Sequence, residues 1–293
     1  MSIRITTLEN GLVVASDHME EVGTVALTAV AGSGARAEEN NEHGLAHVLE
    51  HMAFKGTGRR TAEEISEEIE QVGGDINAAT GVEQTSYDIR ALAQDLPLAV
   101  DLLGDILTHP VFAEDELERE KNVIVQEIGA VEDTPDDLVY EFMQSVCFSG
   151  QSLGRSILGT PETVRAMTRD DLVRFRESHY RAPNMVVAAA GAVEHDRLVD
   201  LVREHFADLG TQAAPVVKPA QWIGGQTRTV RDLEQAHVIL AFPGFSLQDE
   251  NIYAAQIFTN LIGGGMSSRL FREVRERRGL AYAVHSFHWA FND

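Results

Sequence analysis

The stretch His43-Gly44-Leu45-Ala46-His47-Val48-Leu49-Glu50-His51-Met52-Ala53-Phe54 spaces Leu45, Val48, Leu49 and Met52 at helical intervals, so a largely buried helix is predicted over residues 43–54. Upstream, residues 3–6 and 12–15 read as strands joined at Asn10-Gly11, both tolerant of positive φ, and residues 24–30 as a third strand before a Gly/Ser loop at 31–37. Downstream, Thr61 can cap a second helix with Glu64 three residues on, and Gly73-Gly74 should end it. Strands follow at 75–79 and 85–91 around Gly81, then helices at 96–107, 114–131, 136–147 and 168–179, a strand at 185–190 and a helix at 197–206. Strands first, then a run of helices and a closing strand make an α+β domain.

Residues 1–208 are therefore expected to form one domain and residues 209–227, with small residues and little periodicity, a linker. Beyond it, strands are predicted at 228–233, 236–242 and 281–287, with helices at 250–262 and 267–277 around Gly263-Gly264-Gly265. This second part, residues 228–293, begins strand, strand, helix as the first does, and at roughly 65 residues its core would be marginal alone. A second, homologous domain that is incomplete is the expectation.

Of the 293 residues, 46 are acidic and 24 basic, a net charge of −22 that would repel a phosphate backbone, so nucleic acid is not an expected partner. No run approaches the roughly 20 apolar residues of a membrane span, and residues 1–16 carry neither a secretion signal nor a transit peptide. A cytoplasmic protein, or an already processed organellar one, is expected. Cys147 is the sole cysteine, so no disulfide framework or cysteine metal cage is available; it reads as a core residue.

On a helix, residues four apart share a face, so His47 and His51 can reach one ion, and Glu50 borders that face. Buried histidine and glutamate need partners, which favours a metal over an ordinary surface helix. Zinc takes nitrogen and oxygen ligands tetrahedrally, and a catalytic site leaves one position for water. The predicted helix at 114–131 offers Glu120 and Glu127, two turns apart beside the apolar stripe of Leu117, Ile124, Ile128 and Val131; spacing does not choose between them.

His47-x-x-Glu50-His51, followed by Asn122-Val-Ile-Val-Gln-Glu127-Ile, resembles the inverted-motif zinc peptidases of the pitrilysin/insulinase family. The branch it is most similar to holds the mitochondrial processing peptidase β subunit and its bacterial relatives. Gly44-Leu-Ala-His47, Phe54-Lys-Gly-Thr-Gly58, Asn77-Ala78 before Glu83-Gln-Thr-Ser-Tyr87, and Gly263 to Phe271 with Arg275 and Tyr282 extend the resemblance along the chain. It implies a clamshell of two similar α/β-roll domains, and one Zn²⁺ on His47, His51 and Glu127 with Glu120 supporting them. Glu50 would be the general base of a metalloendopeptidase. Asn77 and Ala78 would pair with the backbone of a peptide or protein substrate, and Arg275 and Tyr282 would assist catalysis from the second domain, the tyrosine at the oxyanion. It also implies a homodimer, or a heterodimer with a related subunit; some family members are non-catalytic scaffold or partner subunits. The glycine run lacks a following Gly-Lys-Ser/Thr, so nucleotide binding is not expected. His109, His179 and His237 lack ligand spacing.

Overall fold

Asn10 and Gly11 turn the chain between β1 (Ile3–Thr7) and β2 (Val13–His18), with Gly11 at φ +94° and the Asn10 side-chain oxygen accepting from the Leu12 N–H at 3.1 Å. A side chain at residue 11 would meet both that left-handed backbone and Pro183, so glycine is required twice over. The computed structural model describes residues 3–293. β3 (Thr24–Ala31), β4 (Asp75–Thr80) and β5 (Thr85–Leu92) form an antiparallel set, and β6 (Met185–Gly191) enters between β2 and β3. The resulting six-stranded sheet runs β1-β2-β6-β3-β5-β4, with β6 parallel to β2 and antiparallel to β3. Its two edges are β1 and β4.

Burial alternates along β3 and β5, so the sheet has one covered face. α1 (Leu45–Ala53) lies beside β4 and packs on α4 (Glu114–Glu132) and α7 (Arg169–His179). α2 (Ala62–Gln71) carries the predicted Thr61–Glu64 capping box and ends before Gly73 at φ +73°. α3 (Leu96–Thr108) covers β3 and β5, and α8 (His195–His205) covers α3 and β2. α5 (Pro135–Cys147) and α6 (Pro161–Ala166) complete the helical layer. Cys147 is buried as expected, its thiol pushed up by that burial. No helix among the described residues is long and apolar enough to cross a membrane.

As the chain leaves α1, a polar cluster ties it to α3. Thr57 Oγ1 donates to Asp105 Oδ2 at 2.7 Å, joined by Arg60 Nη1 at 2.8 Å, while Arg59 Nε reaches Asp105 Oδ1 at 3.1 Å. Both arginines also donate to Asp101, and Arg60 Nε to Glu68 at 3.0 Å. Burial pushes the Asp101 and Asp105 carboxyls up, but these donors outweigh it and hold both below the usual carboxylate range.

The C-terminal part departs from expectation. α9 (Ile252–Gly263) forms, and Phe271–Glu276 winds as a single π-helical stretch inside the predicted 267–277 helix. The strands predicted at 228–233, 236–242 and 281–287 do not form among the described residues. A strand exists only where a neighbour completes its ladder, and none pairs here: Val238, Leu240 and Phe242 are 77–80 % exposed. The strand–strand–helix start of the second part is therefore reduced to its helix. Its last segment instead leans on α5, with Phe287 and Trp289 against Tyr140, Phe291 against Phe148, and the Tyr140 hydroxyl 2.9 Å from His285 Nε2.

Candidate metal centre

α1 starts without a capping side chain at its own N-cap, because Gly44 sits there at φ +93° with Gly159 pressed against it. Its first N–H groups are served from upstream instead: the buried Glu38 carboxylate accepts from Gly44 N at 2.9 Å and Ala46 N at 2.8 Å. Burial pushes this carboxyl up to about 8, against the pull of the two N–H donors and of Arg155. The sequence carries no usual cap signature here, since the acceptor lies six and eight residues from its donors.

The helix so started presents His47 and His51 with ring centroids 4.6 Å apart. Each offers Nε2 to the same atom, Glu127 Oε2 on α4, at 3.8 Å. Burial, with the His51 imidazole alongside, pushes His47 down to about 4, so at neutral pH its ring is uncharged and keeps a lone pair. His47 Nδ1 is buried with no hydrogen-bond partner among the described residues. Among those residues, donor atoms of His47, His51 and Glu127 converge within 4.8 Å of one another.

Behind His51 stands Glu120, one carboxylate oxygen 3.0 Å from Nδ1 and the other accepting from Lys55 Nζ at 2.7 Å. Burial raises the Glu120 carboxyl, but Lys55 and His51 outweigh it and hold it below the usual range. An ionised acceptor at Nδ1 places the proton there and leaves the Nε2 lone pair facing Glu127. Glu50, half-buried, makes no hydrogen bond or ion pair among the described residues. It lies near enough to the buried Tyr87–Tyr180 hydroxyl pair, 3.0 Å apart, that its charge adds to the burial raising both tyrosines.

The donor set fits zinc. Tetrahedral bonds of about 2.0–2.1 Å would put ligand atoms about 3.3–3.4 Å apart, a few tenths of an ångström inside the 3.8 Å separations found here. Two imidazole nitrogens and one carboxylate oxygen suit a divalent ion of borderline softness.

Asn77 and Ala78 lie on β4, whose outer edge is unpaired next to α1; the Asn77 side chain accepts from the Ala78 N–H at 2.9 Å. Arg275 is held by aromatic rings: its guanidinium stacks on Phe271 at 4.8 Å and on Tyr282 at 5.0 Å. Neither Arg275 nor the 79 % exposed Tyr282 is joined by a hydrogen bond or ion pair to His47, Glu50, His51 or Glu127. The three histidines without ligand spacing are occupied by other groups, His109 by Asp208 at 3.0 Å, His179 by the Phe175 carbonyl at 3.1 Å and His237 by Asp136 at 2.6 Å.

The insulinase (peptidase family M16) model matches residues 12–161, and one described as peptidase M16 inactive domain matches residues 166–293. An uncharacterized zinc protease of Rickettsia felis is 41% identical over 293 residues, spanning 100% of this chain and 71% of that protein. The chain belongs to the peptidase M16 family. An uncharacterized zinc protease of Bacillus subtilis is 37% identical over 293 residues, covering 99% of this chain and 71% of its own length. The fold is shared with a solved Helicobacter pylori protease, at TM-score 0.86 and 22% identity over 100% of this chain and 72% of that one. A peptidase M16 inactive domain from Pseudomonas fluorescens follows at TM-score 0.84 and 20% identity, over 99% and 72%. The mixed α/β architecture with its open sheet is thus that of the M16 peptidases, with two M16 domain types in succession.

Proposed function

We propose that this chain holds the zinc-binding site of an endopeptidase that hydrolyses unfolded or extended peptides. The observation that carries the reading is the convergence of His47, His51 and Glu127 beside an unpaired Glu50. One zinc ion, held by those three side chains, would supply Lewis-acid polarisation of the scissile carbonyl and a lowered pKa for water. Glu50, without a hydrogen-bond or ion-pair partner among the described residues, takes the proton of the attacking water and returns it to the leaving amine. Glu120 fixes the His51 ring from behind. The open edge of β4 at Asn77 and Ala78 accepts the substrate backbone as an added strand, which holds the peptide extended and asks little of its side chains. Arg275 and Tyr282 belong to the proposal as a cation–π pair that reaches the substrate from the second M16 domain, the Tyr282 hydroxyl serving the oxyanion. A cytoplasmic location and pairing with a second copy or a related subunit are part of the same reading, the former resting on the bacterial relatives.

Zinc content of the purified chain, compared with Glu127→Gln, is the test. About one zinc per chain, lost or much weakened in the variant, is expected. A chain that holds no zinc and takes up none on titration would instead be a non-catalytic scaffold or partner subunit.

A further inference from the structure

We propose that Lys55 is a positioning residue of the metal centre, holding Glu120 so that only one of its carboxylate oxygens is left for His51. Lys55 follows His51 by four residues, just past the C-terminal end of α1, and so comes down on the face that carries the two histidines. Its Nζ sits 2.7 Å from Glu120 Oε1, while Glu120 Oε2 is 3.0 Å from His51 Nδ1. The Glu120 side chain is 8 % exposed, so these two groups, rather than water, satisfy it. A carboxylate tied at one oxygen cannot turn about its terminal torsion, a rotation that is otherwise soft. The His51 ring therefore meets an acceptor in one place, which fixes the direction of Nε2 toward Glu127. No such support reaches His47, whose Nδ1 is unpartnered among the described residues, so the chain aims one imidazole through Lys55 and Glu120 and leaves the other to packing. The inference rests on the reading of His47, His51 and Glu127 as a zinc site.

The experiment is a zinc competition titration against a chromophoric chelator, run on the wild-type chain and on Lys55→Met, Lys55→Arg, Glu120→Gln and the Lys55→Met/Glu120→Gln double variant. Outer partners of a metal ligand are typically worth 10–100-fold in affinity, so Lys55→Met is expected to bind zinc about 10-fold more weakly. Lys55→Arg, which keeps the charge and the donor, should recover most of that loss. Because Lys55 acts through Glu120, adding Lys55→Met to Glu120→Gln should cost nothing further. Thermal unfolding in chelator monitors folding, and Lys55→Gln replaces the methionine variant if that one is unfolded. Full affinity in Lys55→Met, or in Lys55→Gln where that replaces it, or a Lys55 effect undiminished on the Glu120→Gln background, overturns the inference while leaving the zinc site standing. Failure of the wild-type chain to bind zinc overturns the site and the inference together.

Discussion

Thr57, Arg59, Arg60, Asp101 and Asp105 consume one another's hydrogen-bonding capacity, whereas His47, Glu50 and His51 on the preceding helix, with Glu127 on α4, leave capacity open among the described residues. In the first cluster every carboxylate has at least two cationic or hydroxyl donors at hydrogen-bond distance. In the second, Glu127 stands at 3.8 Å from both imidazoles, and neither Glu50 nor a buried ring nitrogen of His47 has a partner among the described residues. Buried polar groups are ordinarily satisfied. A cluster that closes on itself holds α1 to α3; one that stays open at comparable burial is built for something that arrives later. The difference separates a structural polar network from a chemical one without reference to residue type, since both are made of charged side chains.

Breaking the open cluster should cost chemistry and leave the fold. The largest effect is expected for Glu50→Gln, where peptide hydrolysis should fall by about 10²–10⁴-fold, the usual worth of a general base, with zinc stoichiometry retained. Hydrolysis at the wild-type rate with zinc still bound would remove Glu50 from that role. Breaking the closed cluster should do the reverse. Asp105→Ala leaves two arginines and Thr57 without their shared acceptor, and denaturant unfolding of the chelator-treated protein should register a loss of about 3–5 kcal/mol. If its zinc affinity, measured on the folded fraction, dropped as steeply, the two clusters would be one unit and the contrast would fail.

The comparison is sharpened by His47→Gln. Removal of a ligand should weaken zinc by at least about 100-fold, the upper end for groups merely behind a ligand. Metal-free stability should move by only about 1 kcal/mol. A smaller effect concerns acid. Asp101 and Asp105 titrate below the usual range in the fold, so what their pairs contribute is present above about pH 4, where the unfolded carboxylates are already charged. It drains away as pH falls through the lowered folded values. Acid unfolding in chelator should therefore be less steep below about pH 4 for Asp105→Asn than for the wild type, once their different starting stabilities are subtracted.

Legibility followed the range of the interaction. The β1–β2 turn at Asn10-Gly11, the Thr61–Glu64 box and the α1 stripe are local, and the structure forms each where its residues predict it. The two histidines belong to one helix and are legible for the same reason. Glu120 and Glu127 could be singled out on α4 by adjacency to the apolar stripe, though only the resemblance assigned them different parts. Lys55 and Glu38 were not legible. Their partners are chosen by how α4 and the chain before α1 happen to pass, at separations of 65 residues for Lys55 to Glu120, and no periodicity encodes that. The strands expected at 228–233, 236–242 and 281–287 fail for a related reason: their composition suits a pleated surface, but a ladder needs a second chain segment that composition does not name.

The position of β6 has a consequence for the order of assembly. Without it, the sheet is two unconnected pieces, a β1–β2 hairpin and a three-stranded antiparallel β3-β5-β4 piece, because β2 and β3 meet only through β6. On the ribosome, then, α1, α4 and the whole β3-β5-β4 piece emerge before residue 191 is made. The hairpin, synthesised first, must wait for about 170 residues before its neighbour appears, a long-range closure of the kind that slows folding. The strand that joins the two pieces of the sheet is thus translated after every side chain of the metal cluster, and the hairpin is fixed to the cluster's side of the sheet only once it arrives.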